Sequence, residues 1–188
     1  MDDDDNLQKS YCLVCDIEMK ATAEKMLFCN ECNKTSENLA DVDDYEPEID
    51  KISEKIFLGN EDGSNEKEKL KELGVTHILI CGNQLAAKFP DDFIYKKLSI
   101  EDNQKQNIEQ YFEETFNFID NAIKVYVHCA AGVCRSVSIV IAYLIKKENM
   151  SYSDALKLVK QKRRFAKPNW NFENQLKNYE KEVIKENF

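Results

Sequence analysis

Long apolar runs are missing from this chain of 188 residues. No stretch approaches the ~20 consecutive apolar residues that a membrane-spanning helix needs. The first residues, Met-Asp-Asp-Asp-Asp, also lack the positive charge with which a secretory signal peptide begins. The sequence therefore predicts an intracellular protein with no membrane segment, located in the cytoplasm, the nucleus or both.

An excess of positive charge is missing as well. The chain has 26 lysines and arginines against 35 aspartates and glutamates. Most of the imbalance lies in residues 1–50, which hold 15 acidic and 4 basic side chains, whereas residues 51–188 hold 20 and 22. A protein that binds nucleic acid by charge needs a basic stripe, and neither part provides one. The sequence therefore argues against nucleic acid as a partner.

The composition is not that of a disordered chain. Hydrophobic residues make up 43% of the sequence, which is enough to form a core. The chain has no internal repeat and no low-complexity segment beyond the initial aspartates. Its length suits one ordinary catalytic domain with a small appendage, or one domain with irregular ends.

Seven cysteines, an odd number without a secretory signal, argue against a disulfide framework. Four of them form two Cys-x-x-Cys pairs separated by thirteen residues: Cys12, Cys15, Cys29 and Cys32. Each pair can place two thiolates on one side of a metal, so the two pairs together complete a tetrahedral zinc site. Such a closed site is structural, and it contributes the folding energy of its own segment. The alternative is that these cysteines are redox-active or that their spacing is fortuitous.

The four cysteines divide the chain into regions. Residues 10–36 resemble a zinc-ribbon module, with a hairpin predicted over residues 19–28, and such a module can also hold a protein partner. An acidic tail, residues 1–9, precedes the module. An acidic linker, residues 37–48, follows it, because this stretch contains a proline and no apolar period. The main domain is predicted over residues 49–188.

Strand and helix patterns alternate along the main domain. The predicted strands cover residues 56–58, 75–80, 95–100 and 125–127, and the predicted helices cover residues 66–73, 108–123, 137–147, a segment opening at Ser151 and a segment from Phe172 through Val183. This alternation predicts an α/β domain whose helices flank a central, mostly parallel sheet. Two residues on the strand that begins at Val75, His77 and Cys81, are expected to be packed there.

The segment from His128 to Ser136 reads His-Cys-Ala-Ala-Gly-Val-Cys-Arg-Ser and lies where a buried strand turns into a helix. The successive backbone N–H groups of such a loop and the positive end of the helix can bind an oxyanion. Gly132 allows a backbone conformation that a side chain would forbid. The sequence predicts that a dianion binds here. The residues expected to contact it are Ala130, Ala131, Gly132, Val133, Cys134 and Arg135.

Arg135 and Cys129 carry the chemistry of this loop. Only three of the 26 basic residues are arginines, so the chain uses arginine rarely. At Arg135, the planar guanidinium can offer two parallel donors to phosphoryl oxygens, which a lysine cannot do. The same positive environment favours the thiolate form of Cys129, which is the nucleophilic form.

These residues resemble the loop of the cysteine-based protein tyrosine phosphatases, and the wider pattern is similar to the small atypical members of the dual-specificity branch. The resemblance covers residues 49–188. The matching segments are Ile56-Phe57-Leu58-Gly59, Gly74-Val75-Thr76-His77-Ile78-Leu79, the Glu101-Asp102 loop, His128 to Ser136, Ala142-Tyr143-Leu144-Ile145, and Lys167 to Leu176. The resemblance implies the protein tyrosine phosphatase fold.

The resemblance also implies catalytic roles. Cys129 would attack phosphorus to give a phosphocysteine intermediate, while Arg135 holds the transferred group. Asp102 would protonate the leaving oxygen and then activate water, Ser136 would hydrogen-bond the thiolate, and His128 would order the loop and help to keep Cys129 ionised. Catalysis of this kind uses no cofactor and no metal.

Several of these residues have a simpler interpretation. Asp102 could be a solvated surface carboxylate instead of the acid, and Asn169, which matches the supporting asparagine of the family, could be a simple turn residue. Cys134 could form a disulfide with Cys129 on oxidation or be a small buried residue. The basic cluster Lys160 to Arg164 is interpreted as a solvated helix end, with a substrate-docking patch as the alternative.

The predicted function is hydrolysis of phosphotyrosine and phosphoserine or phosphothreonine in phosphoprotein substrates. One alternative is a phosphatase of a phosphoinositide, a glucan or an RNA 5′ end, and another is a phosphoprotein-binding adaptor. The loop positions between Cys129 and Arg135 carry no basic side chain, which favours a protein phosphomonoester over a highly charged substrate.

Overall fold

The computed structural model of the protein describes residues 20–21, 27–28 and 49–186. The chain divides into two units, residues 1–46 and residues 47–188. In the first unit, strand β1 (Lys20–Ala21) pairs antiparallel with β2 (Leu27–Phe28). This pair forms within the segment predicted as a hairpin. The four cysteines of the predicted zinc site lie outside the described residues.

The second unit contains a five-stranded sheet. Its strands are β3 (Ile49–Lys51), β4 (Ile56–Gly59), β5 (His77–Cys81), β6 (Ile94–Leu98) and β7 (Val125–His128), and their order across the sheet is β3-β4-β7-β5-β6. The pairs β4–β7, β7–β5 and β5–β6 are parallel, and only the edge strand β3 runs antiparallel. The prediction of a central, mostly parallel sheet is confirmed.

Five α-helices and two short 3₁₀ helices are present among the described residues of this unit. They are the 3₁₀ turns Gly63–Asn65 and Glu109–Tyr111, and α1 (Lys67–Glu72), α2 (Phe112–Asn121), α3 (Arg135–Glu148), α4 (Tyr152–Lys162) and α5 (Trp170–Glu186). Helix α4 begins where the sequence predicts it, because the side chain of Ser151 accepts a hydrogen bond from the backbone N–H of Asp154. Helix α5 begins before Phe172, since Asn169 Oδ1 accepts the N–H of that residue at 3.0 Å.

The side chains of the central strands alternate between two apolar clusters, as expected of a sheet covered on both faces. On β7, Val125 and Val127 belong to the cluster that contains α2, α3, α4 and α5, whereas Tyr126 belongs to the cluster that contains Leu70 of α1. No helix among the described residues is long and apolar enough to cross a membrane. Because parallel strands end at one edge of the sheet, the loops that follow β5 and β7 lie side by side.

Candidate active site

The loop between β7 and α3 has the conformation that the sequence predicts for an anion-binding loop. Gly132 lies in the left-handed region, with φ at 66°. A Cβ atom at this position would lie 2.4 Å from the carbonyl oxygen of Gly59, which no side chain can tolerate. The glycine is therefore required for the loop to pack against β4.

The thiol of Cys129 lies at the base of this loop, where the residue is 2% exposed. Its Sγ accepts two hydrogen bonds of 3.2 Å, one from the backbone N–H of Gly132 and one from Ser136 Oγ. Both donors direct partial positive charge at the sulfur.

Arg135 is the first residue of α3, and its side chain lies over the same loop. The residue is buried, and its Nε has no hydrogen-bond partner among the described residues. Gly82, in the loop after β5, makes room for this side chain, since a Cβ there would lie 2.6 Å from Arg135 Nη1. A buried guanidinium donor without a partner is suited to binding an anionic ligand.

Asp102 faces Arg135 from the loop that follows β6. Its Oδ2 lies 3.9 Å from Arg135 Nε. Its Oδ1 accepts hydrogen bonds from Asn169 Nδ2 at 2.9 Å and from the thiol of Cys134 at 3.1 Å. The carboxylate is 42% exposed, so it can reach a ligand, but it is held by two donors and is not a freely solvated side chain.

The loop that carries Asp102 is also attached to the start of α5. Asn171 donates to Gln106 O at 2.7 Å, and Gln175 Nε2 donates to the same oxygen at 2.9 Å. The side chain of Gln175 accepts the backbone N–H of Ile108 at 2.7 Å. These contacts restrict the loop before any substrate binds, which reduces the entropy lost in aligning the carboxylate.

Cys134 takes part in this arrangement through its side chain. The residue is buried, and its sulfur accepts the backbone N–H of Asn169 at 3.2 Å while its thiol donates to Asp102. Burial, together with the adjacent carboxylate, raises the pKa of this thiol well above its usual value. Cys134 is therefore a neutral donor at physiological pH.

His128 is buried at the end of β7 and stacks on Tyr126, with the ring centroids 5.4 Å apart. Burial lowers the pKa of His128 to about 4. The imidazole is consequently neutral at pH 7, so it contributes no positive charge toward Cys129. The hydrogen bonds that Cys129 Sγ accepts come instead from Ser136 and the backbone N–H of Gly132.

An open cleft of about 550 Å³ lies beside these residues. Its lining residues are Asn83, Gln84, Glu101, Asp102 and Arg135. Arg135 is the one cation among them, and two carboxylates face it. The cleft can therefore accept one phosphoryl group, and the described residues that line it include no second cationic group.

The interpretation of the cluster Lys160 to Arg164 as a solvated helix end or docking patch is wrong for Arg163. This residue is 2% exposed, and it hydrogen-bonds the carbonyl groups of Ala131 and Gly132. The rarity of arginine, which singled out Arg135, also applied to Arg163 and could have identified it. Gly82 was missed too, because its role depends on the approach of a side chain distant in sequence.

Two other residues lie where the sequence places them. Cys81 is fully buried in the core, as predicted. His77 packs edge to face against Phe118, with ring centroids 5.2 Å apart. Within residues 49–186 and the two short strands before them, no group of three or more histidine, cysteine, aspartate or glutamate side chains could hold a metal ion.

Comparison with known proteins agrees with this geometry. Residues 56–182 match the family of the dual specificity phosphatase catalytic domain. Dual specificity protein phosphatase 1B of Arabidopsis thaliana is 40% identical over 140 residues, which are 72% of this chain and 84% of that protein. Dual specificity protein phosphatase 1 of the same plant is 42% identical over 145 residues, 75% and 72% of the two chains.

Solved structures show the same fold. The crystal structure of the human tyrosine phosphatase-like serine/threonine/tyrosine-interacting protein superimposes with a TM-score of 0.70 at 34% identity, covering 74% of this chain and 99% of that one. The order of the strands, the cysteine loop at the carboxyl end of β7 and the match to the family agree with one another. This chain therefore belongs to the dual specificity phosphatase family.

Proposed function

We propose that this protein hydrolyses phosphotyrosine and phosphoserine or phosphothreonine in proteins, through a phosphocysteine intermediate on Cys129. The observation that carries the proposal is the convergence on one cleft of a buried thiol, the Asp102 carboxylate and an Arg135 Nε–H that has no hydrogen-bond partner in the described part of the chain. A nucleophile, an anion-binding group and a proton donor are what transfer of a phosphoryl group requires.

In the first step, the thiolate of Cys129 attacks phosphorus, so that an S–P bond forms and the ester P–O bond breaks. The backbone N–H groups of the loop and Arg135 bind the three non-bridging oxygens, where negative charge is concentrated. Asp102 gives its proton to the leaving oxygen. Since Oδ1 is engaged by Asn169 and Cys134, the proton is expected on Oδ2, the oxygen nearer to Arg135.

In the second step, water attacks phosphorus while the Asp102 carboxylate accepts one of its protons. The S–P bond breaks, inorganic phosphate leaves, and Cys129 is regenerated as a thiolate. Ser136 and the N–H of Gly132 stabilise this leaving group through the two 3.2 Å hydrogen bonds already present in the free protein.

A protein substrate is favoured by the charge of the cleft. Among the described residues that line the cleft, Arg135 is the one cation, whereas Glu101 adds a second carboxylate. Inositol phosphates and other polyanions would be repelled by such a rim and would gain from basic residues that the cleft does not provide. A peptide that carries one phosphate satisfies the site with a single charged group.

Phosphate release from matched substrates tests this proposal. We expect turnover of a phosphotyrosine peptide and of a phosphothreonine peptide to exceed that of a soluble phosphoinositide by about tenfold or more in kcat/KM, because one misplaced charge costs on the order of 1 kcal/mol or more. The Cys129→Ser protein is the blank for contaminating phosphatase. Preferred hydrolysis of the phosphoinositide would contradict the assignment.

An adaptor that binds phosphoproteins without turnover is the less favoured alternative. The human structural relative is called phosphatase-like and interacting. A protein of that kind needs no nucleophile and no acid. Here the thiol accepts two hydrogen bonds and the carboxylate is held by two donors, so both groups required for turnover are present and oriented.

We also propose that the four N-terminal cysteines, Cys12, Cys15, Cys29 and Cys32, hold a structural zinc ion. Two Cys-x-x-Cys pairs provide the four thiolates of a closed tetrahedral site, and the paired strands β1 and β2 lie between them in sequence. Bound zinc would supply folding energy to that segment and no chemistry to the cleft. The module is proposed to recruit a protein partner.

Metal content measured together with activity tests the zinc proposal. We expect about one equivalent of zinc per chain, lost in a Cys12→Ser and Cys15→Ser double variant, while the rate on a small aryl phosphate stays within about twofold. The reason is that Cys129, Arg135 and Asp102 all belong to the second unit, and the match to the phosphatase family begins only at residue 56. A zinc-free wild-type protein, or a rate that collapses with the double variant, would show that these cysteines have another role.

A further inference from the structure

We propose that Arg163 is a positioning residue for the phosphate-binding loop: its buried guanidinium holds the peptide groups around Gly132 so that their N–H groups face the thiolate and the bound phosphoryl group. The inference rests on the proposed function and deepens it, because it assigns the residue that orients the anion-binding amides. Arg163 is the residue after helix α4 and touches the loop from its outer side.

The contacts of Arg163 are made by all parts of its guanidinium. Nε donates to the carbonyl oxygen of Gly132, and Nη2 donates to the carbonyl oxygen of Ala131 at 3.1 Å. Nη1 donates to Asp50 Oδ2 at 2.7 Å. The packing is close, since a Cβ on Gly132 would lie 2.6 Å from Arg163 Nη2.

The consequence follows from the planarity of the peptide unit. The carbonyl of Ala131 and the N–H of Gly132 belong to one trans peptide, so they point in opposite directions. When Arg163 holds that carbonyl on the outer side of the loop, the N–H of Gly132 must point inward. It does so, and it donates to Cys129 Sγ at 3.2 Å. The carbonyl of Gly132 orients the next N–H in the same way.

Rotation of the peptide group between Ala131 and Gly132 would have a larger effect than the loss of one hydrogen-bond donor. With φ at 66°, Gly132 has access to conformations that other residues avoid, so this part of the loop needs an external restraint. A carbonyl oxygen turned inward would place its negative charge next to the thiolate and the phosphoryl oxygens. It would destabilise the thiolate and weaken the binding of the phosphoryl group.

Asp50 completes the arrangement from the edge strand β3. Its carboxylate, 29% exposed, offsets the charge of a guanidinium that is 2% exposed. Asp50 lies before residue 56, where the match to the family begins. A lysine could not replace Arg163, because one ammonium group cannot reach two carbonyl oxygens and a carboxylate in the fixed fork geometry of arginine.

Binding of inorganic phosphate to the full-length chain tests the proposal without turnover. In a Cys129→Ser background, we expect Arg163→Ala to weaken phosphate binding by about tenfold or more, and Arg163→Lys to remain at least about threefold weaker than the parent. Arg164→Ala is the matched control, since Arg164 is exposed beside Phe165, and it should bind phosphate within about twofold of the parent. Titration calorimetry measures all four proteins.

Kinetics with Cys129 restored separate this role from that of the acid. Arg163→Ala should lower kcat/KM about 100-fold for alkyl phosphates and for activated aryl phosphates alike, because the loop binds the phosphoryl group of both substrates. Loss confined to the alkyl substrate would mean that Arg163 acts on the Asp102 loop, which would overturn the proposal.

Thermal unfolding separates positioning from simple stabilisation. An Arg163→Ala protein that is folded at the assay temperature and binds phosphate as the parent does would reduce Arg163 to a structural link between β3 and α4. If that variant does not fold, Arg163→Lys decides by the same measurement. If no phosphoester is hydrolysed by the wild type but the phosphate affinities change as expected, the proposed function fails while the role of Arg163 stands.

Discussion

Replacement of Cys129 by serine is expected to abolish hydrolysis of every phosphate monoester, with less than about 1% of wild-type turnover left. A serine hydroxyl is a far weaker nucleophile than a thiolate, and the hydrogen bonds to Cys129 Sγ come from a backbone N–H and a hydroxyl group, neither of which is a base. Loss of the sulfur thus removes the one group that can attack phosphorus. Initial rates with a small aryl phosphate measure the effect.

The same variant should keep its fold and its affinity for phosphate. The anion is held by loop N–H groups and Arg135, and the substitution changes none of these. Cys81→Ala is a suitable control, since Cys81 is another buried cysteine that lies in the core and outside the loop. This variant should have a lower melting temperature and an unchanged turnover rate. Activity of Cys129→Ser well above the background would remove Cys129 from the nucleophilic role.

Asp102→Asn is expected to lower kcat by about 10²–10⁴-fold when the leaving group is an alkyl alcohol. An alkoxide is a poor leaving group, so it needs a proton as the P–O bond breaks, and asparagine has none to give. The loss should be much smaller with an activated phenol, which leaves as a stable anion. A comparison of one alkyl and one activated aryl phosphate measures the difference between the two losses.

Glu101→Gln is the matched control for this prediction, because Glu101 is the adjacent carboxylate and accepts a hydrogen bond from Asn103 within its own loop. On the same two small substrates its rate should stay close to that of the wild type. Losses of equal size for Asp102→Asn on both leaving groups would mean that Asp102 orients the substrate or the loop, and that the proton comes from elsewhere.

The core of the site could be predicted from the sequence because it is local. Cys129, Gly132, Arg135 and Ser136 lie within eight consecutive residues, and a strand that turns directly into a helix leaves little freedom in where their backbone N–H groups point. The hydrogen bonds to Cys129 Sγ come from inside this segment. No distant contact was needed to infer that an anion binds here.

The candidate proton donor, Asp102, could not be predicted from the local sequence pattern alone. Asp102 lies among several exposed acidic residues, and only its resemblance to the family loop distinguished it from them. Its partners, Cys134 and Asn169, are 32 and 67 residues away in sequence. Pairings over such separations are determined by how the helices pack on the sheet, which periodicity along one segment does not predict.

Arg163 shows most clearly what the sequence pattern could not predict. A basic run at the end of a helix is typical of a solvated surface, and its neighbour Arg164 is indeed exposed. The two arginines differ in the direction in which their side chains extend from the end of α4. That direction depends on where α4 lies relative to β3 and to the cysteine loop.

The sequence by itself therefore determined the fold class, the candidate nucleophile and the glycine that the loop before α3 requires, since each of these depends on neighbouring residues and on the periods of strand and helix. Only the tertiary structure decided which donors hold Asp102, that burial lowers the pKa of His128, and that Arg163 hydrogen-bonds the carbonyl groups of the loop. The physical reason is that burial and hydrogen bonding between distant segments arise only when the sheet and helices have packed together, and these contacts set the charge and orientation of each group in the site.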